Sequence, residues 1–175
     1  IGGDGALGGA RKALPAGTTR KCYKGYEEVH VPPPPRAPPP ADDELVKITS
    51  LPDWAQLAFE GYKTLNRIQS RIFTTAFTSN ENMLVCAPTG AGKTNIAMIS
   101  VLREVGQNMR FGVIQKADFK IVYVAPMKAL AAEVTSNFSK RLAPLGLVVR
   151  ELTGDMQLSK KELAETNMIV TTPEK

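Results

Sequence analysis

The sequence predicts an α/β fold, a parallel sheet with helices on its faces, preceded by an extended Gly/Pro-rich segment over residues 1–44. Three observations predict it. The octapeptide Ala87-Pro88-Thr89-Gly90-Ala91-Gly92-Lys93-Thr94 lies between an apolar run of strand length, Met83 to Cys86, and a stretch in which Met98, Val101, Leu102 and Val105 recur at helical spacing. Downstream, β-rich runs alternate with amphipathic stretches, the order that builds a parallel sheet. The first 41 residues hold seven of the 14 glycines and eight of the 13 prolines, so they cannot bury a core of their own.

Order is expected from Leu45. Asp53 with Gln56 three residues later predicts a capped helix start, and Trp54, Leu57, Ala58, Gly61 and Leu65 then share one face. A second helix follows Asn66, with Ile68, Ile72, Phe73, Ala76 and Phe77 as its buried stripe. Residues 106–119 form a polar connection with no assignable period. Ile121 to Ala125 is a continuous strand meeting Pro126, after which Leu130, Val134, Phe138 and Leu142 mark an amphipathic helix. Leu147 to Val149 leads a third strand towards Thr153, Ser159 and Glu162 cap a short helix, and Met168 to Thr171 is the fourth strand. In such sheets ligands gather at the carboxyl ends of the strands.

Composition narrows the function classes. A chain of 175 residues suits one domain, and its start at Ile1 and stop at Lys175 predict a piece of something larger. No apolar run approaches the roughly twenty residues that span a bilayer, and the first residues lack the apolar region of a secretory signal, so no membrane association is expected. Cys22 and Cys86 lie far apart, Cys86 in a predicted core strand, which points to reducing surroundings. His30 is a lone histidine in the linker, and no metal cluster is expected. The net charge of +5 is uneven: residues 1–41 carry six basic and three acidic side chains, and residues 42–175 carry sixteen and fourteen. Charge alone therefore gives only a weak preference for polyanions. Within the first segment the proline runs favour a stiff polyproline spacer, while Tyr26, Val29 and Val31 are placed to pin it onto the domain.

The octapeptide carries the chemistry. Gly90 and Gly92 allow positive φ, so that main-chain N–H groups turn inward as an anion nest beside the positive end of a helix dipole. Lys93 would reach the β and γ phosphates of ATP, and the Thr94 hydroxyl would ligate Mg²⁺. Ala87 stands where the strict pattern has Gly. Gln69 lies eighteen residues before Ala87 in Leu65-Asn66-Arg67-Ile68-Gln69-Ser70, where its carboxamide would pair with adenine; a Gln on a helix is otherwise most often a surface residue. Ala125-Pro126-Met127-Lys128, Thr153-Gly154-Asp155 and Thr171-Thr172-Pro173-Glu174-Lys175 each end a strand and present N–H groups and cations to a phosphodiester. Taken singly, each is also a plain turn with a helix cap; the three in series after a phosphate loop form a track.

In these motifs the sequence resembles the Ski-type branch of the superfamily 2 helicases over residues 45–175, the N-terminal part of a first RecA-like domain. Lys24-Gly25-Tyr26-Glu27-Glu28-Val29-His30-Val31-Pro32 and Phe59 to Ser70 are further similar to the two-cassette spliceosomal helicases of the U5 small nuclear ribonucleoprotein. That resemblance implies an ATP-dependent RNA helicase unwinding paired U4 and U6 RNA in the nucleus among other U5 and spliceosomal proteins. It implies ATP and Mg²⁺ on residues 87–94 with Gln69 at the adenine, and RNA on Pro126, Lys128, Thr153, Gly154 and Thr172. Lys128 departs from the usual arginine, giving a point charge in place of a planar fork. No Asp-Glu-x-His segment follows, so the isolated piece is expected to bind nucleotide weakly at most. The related helicase of the activating signal cointegrator complex, and a nucleotide-gated scaffold that unwinds nothing, are the alternatives.

Overall fold

The computed structural model describes residues 13–36, 38 and 45–175. The chain divides into two compact units, Ile1–Pro39 and Pro40–Lys175. In the first, β1 (Thr19–Tyr23) and β2 (Tyr26–His30) pair antiparallel across a tight turn in which Gly25 takes a φ of 98°. Tyr23 and Tyr26 stack at 4.8 Å beside that turn, and Arg20 meets Glu27 at 3.4 Å. The linker reading missed this hairpin because its pattern is not alternating and every strand residue is exposed, Tyr26 and Val29 included. Val31 is exposed as well. The Gly-rich start and part of the proline run lie outside the described residues.

The second unit opens with a 3-10 turn at Ile48–Ser50 and the short α1 (Asp53–Gln56), which runs into another 3-10 turn at Leu57–Phe59. Pro52, not Asp53, takes the capping position, so the expected box does not form; Gln56 reaches back to the Leu51 carbonyl at 2.7 Å. Ala58 and Leu65 are buried as expected, but Leu57 is 47% exposed. Next, α2 (Arg67–Thr78) begins with a complete capping box: Asn66 Oδ1 accepts the Gln69 N–H at 2.9 Å, and Gln69 Oε1 accepts the Asn66 N–H at 2.9 Å. Its stripe is only partly covered. Ala76 is buried, Ile72, Phe73 and Phe77 are half-buried, and Ile68 is exposed.

The predicted strand at Met83–Cys86 is not formed. These residues make no ladder, Leu84 is 91% exposed, and Cys86 is an exposed thiol, not a core residue. An apolar run becomes a central strand only when neighbours take its N–H and C=O groups, and here none does. The helix after the loop, α3 (Lys93–Gln107), forms as its period predicts, burying Met98, Val101, Leu102 and Val105. Trp54 packs against Gly106, where a Cβ would sit 3.1 Å from the indole. The unassigned connection holds a small hairpin, β3 (Met109–Arg110) with β4 (Val113–Ile114), turned through Phe111 at φ 50° and Gly112 at φ 76°.

Three parallel strands then form the sheet in the order β5-β7-β6, from β5 (Ile121–Val124), β6 (Val149–Leu152) and β7 (Met168–Thr171). The crossover helix α4 (Lys128–Leu142) buries Ala131, Val134, Phe138 and Leu142, and Phe138 meets Tyr123 of β5 at 5.9 Å. On β5, Val122 and Val124 are 59% and 56% exposed. The short α5 (Lys160–Glu165) carries the predicted capping box between Ser159 and Glu162. At its other end the Lys120 ammonium bonds the carbonyls of Leu163 and Thr166, a cation at a helix C-terminus. Buried Asn167 ties the entry of β6 to the Lys116 carbonyl. The registers bring Val124, Leu152 and Thr171 level, so Ala125, Thr153 and Thr172 leave the sheet at one end.

Candidate functional site

The octapeptide forms a solvent-facing loop that delivers the chain into the N-terminus of α3. Gly90 at φ 81° and Gly92 at φ 84° lie in the left-handed region that a Cβ disfavours, and the Ala91 N–H closes a turn on the Pro88 carbonyl at 3.2 Å. Among the described residues the N–H groups of Gly92, Lys93 and Thr94 have no protein acceptor, and they sit at the first turn of a fifteen-residue helix. Unpaired N–H groups at the positive end of a helix dipole favour an anion. Lys93 folds back across the loop, its Nζ donating to the Ala87 carbonyl at 2.8 Å, while Thr89 and Thr94 are exposed. A neutral carbonyl holds the ammonium where a phosphate oxygen would bind it more strongly.

Gln69 does something the sequence reading did not anticipate. It is 3% exposed, and both ends of its carboxamide are engaged within the chain: Oε1 accepts the Asn66 N–H, and Nε2 donates to the Gly92 carbonyl at 3.0 Å. Beside it, Asn66 Nδ2 donates to the Ala91 carbonyl at 2.9 Å. Together the pair fastens the start of α2 to the floor of the loop. Each end of the carboxamide keeps a second hydrogen-bonding position, but with Gln69 3% exposed an adenine reaches them only if this corner opens. The Asn-x-x-Gln spacing at Asn66 was the signal for this latch, since a capping box uses only the carboxamide oxygens and leaves both amide NH₂ groups for second partners.

At the carboxyl end of the sheet, Pro126, Lys128, Gly154 and Thr172 line one cavity of about 380 Å³ with Glu174 and Lys175. The track residues therefore converge, with one exception. Thr153 is fully buried, main chain included: its hydroxyl donates to the Glu151 carboxylate and its carbonyl accepts the Met156 N–H. Lys175 is an addition: its Nζ donates to the Gly154 carbonyl at 3.1 Å, joining two strand ends. Glu174 is held below the usual carboxylate range by its own main-chain N–H and then by the Thr172 hydroxyl, so one negative charge sits beside the two lysines. Arg141 and Asn95 are further residues that no motif had signalled; they touch across elements far apart in sequence.

The residues present fit a nucleotide triphosphate with Mg²⁺. Loop amides and Lys93 suit the phosphates, and the exposed Thr94 hydroxyl in the first turn of α3 suits a hard cation. Among the described residues no group of three His, Cys, Asp or Glu side chains could hold a metal, and Thr94 is the residue of the loop that would contribute to holding Mg²⁺. When bound, the ion would neutralise phosphate charge.

A phosphate loop at a helix N-terminus, latched to the preceding helix and set in a chain with a parallel α/β sheet, defines a P-loop nucleotide-binding domain. Residues 66–175 match the family described as DEAD/DEAH box helicase, and the chain belongs to that family. It is 66% identical over 173 residues to the DExH-box ATP-dependent RNA helicase DExH14 of Arabidopsis thaliana, covering 99% of this chain and 8% of that protein. It is 60% identical over 169 residues to activating signal cointegrator 1 complex subunit 3 of Gallus gallus, covering 97% of this chain and 8% of that protein. It is 54% identical over 166 residues to the U5 small nuclear ribonucleoprotein 200 kDa helicase of Drosophila melanogaster, covering 94% and 8%. The chain thus spans about 8% of the length of these relatives. A crystal structure of the DUF1998 helicase MrfA bound to DNA superposes with a TM-score of 0.58 at 20% identity, covering 78% of this chain and 18% of that one, a likeness of fold. No described helix is long and apolar enough to cross a membrane.

Proposed function

We propose that this chain is the nucleotide-binding entry to an ATP-driven RNA helicase, with residues 87–94 gripping Mg²⁺ and the triphosphate and the Pro126–Lys128, Gly154 and Thr172 ends carrying the RNA backbone. One observation carries the reading: the Gly92, Lys93 and Thr94 N–H groups at the start of α3 have no acceptor among the described residues, and the Lys93 ammonium beside them rests on a carbonyl, a positive site that suits an anion. Gln69 acts first as the latch of that loop, with adenine contact following once the latch is released. By itself the 175-residue chain binds nucleotide weakly and turns none over, because among the described residues no carboxylate is bonded to the loop to position a water.

The experiment is ATP hydrolysis and RNA-duplex unwinding by the whole protein and its Lys93→Ala variant. Loss of both activities with the fold intact is expected; unwinding that survives in the variant sinks the reading. Of the finer assignments, 60% identity to the cointegrator-complex subunit against 54% to the U5 helicase, over nearly equal spans, favours the former. On that reading paired U4 and U6 RNA and the spliceosomal proteins are the second choice of substrate and partners, and the nucleus stays the proposed location. Co-purification of the whole protein with U5 particles would reverse the preference.

A further inference from the structure

Arg141, one residue before the end of α4, turns its guanidinium inward to the seam where residues 58–62 meet α3. Its Nε donates to the Ala58 carbonyl at 2.8 Å and its Nη1 to Asn95 Oδ1 at 2.8 Å. Phe59 and Tyr62 lie 5.0 and 5.4 Å from the guanidinium carbon, and their rings meet edge-on at 5.8 Å. Nη2 is buried without a hydrogen-bond partner among the described residues. Desolvation pulls the guanidinium below its ordinary pKa, with Tyr62 opposing. An aliphatic side chain would fill this seam without leaving a charge desolvated and part-paired, so packing alone does not account for an arginine.

What the arginine adds is a hold on Asn95. That residue is 8% exposed and follows directly on Lys93 and Thr94 in the first turn of α3. Its N–H bonds to the Gly92 carbonyl at 3.1 Å, the same carbonyl that accepts from Gln69 Nε2. The first turn is therefore fastened on one side by Gln69 through Gly92, and on the other by Arg141 through Asn95. We propose that Arg141 is a positioning residue of the nucleotide loop: through Asn95 it orients the turn that aims the Lys93 ammonium and the Thr94 hydroxyl at the triphosphate and its Mg²⁺. The proposal rests on the nucleotide-binding reading above. Arg141 itself touches neither phosphate nor metal, and a lysine, with a single donor atom, cannot bridge Ala58 and Asn95 in one plane.

The test uses the whole protein, a fluorescent ATP analogue with Mg²⁺, and thermal unfolding without nucleotide. Arg141→Met fills the seam without donors, and Asn95→Ala leaves the Ala58 bond and the aromatic packing in place. Each is expected to weaken analogue binding about tenfold while the variant stays folded at the temperature of the binding assay, which the thermal scan checks. The double variant is expected to lose no more than about twofold beyond either single one, since a shared contact is lost only once. Arg141→Lys recovers part of the loss at most. Wild-type affinity in Asn95→Ala overturns the proposal, also where Arg141→Met does not fold; so do losses that add fully in the double variant. Failure of the unaltered protein to bind the analogue removes the nucleotide reading, and this inference with it.

Discussion

Replacing Gly92 by alanine puts the latch between α2 and the loop under a measurable load. Gly92 sits at φ 84°, and a Cβ there would overlap Gln69 Nε2 and come within 3.0 Å of Asn66 Nδ2. A left-handed backbone with a Cβ costs about 1–2 kcal/mol. The clash also pushes aside the carboxamides that donate to the Gly92 and Ala91 carbonyls, two hydrogen bonds each worth about 1 kcal/mol net. The sum is about 3 kcal/mol, or roughly 150-fold in the constant for opening this corner. Gly90→Ala is the control, because Gly90 has the same sign of φ, 81°, but nothing within 4 Å of its added Cβ. It bears only the torsional cost, roughly fivefold to thirtyfold. Native-state hydrogen exchange of the Gln69 amide, held by Asn66 in the capping box, reads the difference directly. Equal exchange rates in the two variants would refute the latch, and with it the reason given for the burial of Gln69.

Lys128→Ala in the whole protein is expected to flatten the dependence of log RNA affinity on log salt by about 0.7, the loss of one phosphate contact to a single strand, with ATP binding unchanged; a slope that does not move removes Lys128 from the track. Thr153→Val is expected to leave RNA affinity within about twofold, since Thr153 is fully buried, and to destabilise the end of β6 by about 1 kcal/mol as Glu151 loses its donor. Hydrogen exchange along β6 checks the second half. Glu162 is held below the usual carboxylate range, chiefly by the Ser159 N–H and then by the Ser159 hydroxyl. Its folded pKa lies below the unfolded one, so the capping contribution is full above the unfolded value and is lost as pH falls through the folded value. The first turn of α5 is therefore expected to fray as pH falls below the usual carboxylate range, and an NMR titration of Glu162 in Ser159→Ala should move its midpoint back up.

Local chemistry was legible before any coordinates. The glycines, lysine and threonine of the loop, the box at Ser159 and Glu162, and the 3.6-residue period of α3 and α4 are properties of neighbouring residues, and each appears where the sequence places it. Parallel order was legible too, because alternating strands and helices leave few other ways to cover apolar faces.

Pairing across distance was not. Met83 to Cys86 has a strand's composition, yet strand formation depends on what lies alongside, and no ladder reaches it. The hairpin at Thr19–His30 has no buried face to betray it. Gln69 could be placed near the loop by spacing, but only the fold shows its carboxamide spent on Asn66 and Gly92. Thr153 looked like its neighbours in the track, and the pleat turned its side chain inward to Glu151. Arg141 reaches an asparagine 46 positions away. Sequence determined which groups could bind phosphate, because that depends on residue type and adjacent backbone; tertiary structure decided which of those groups are free to do so, because a hydrogen bond is committed only once its partner arrives in space.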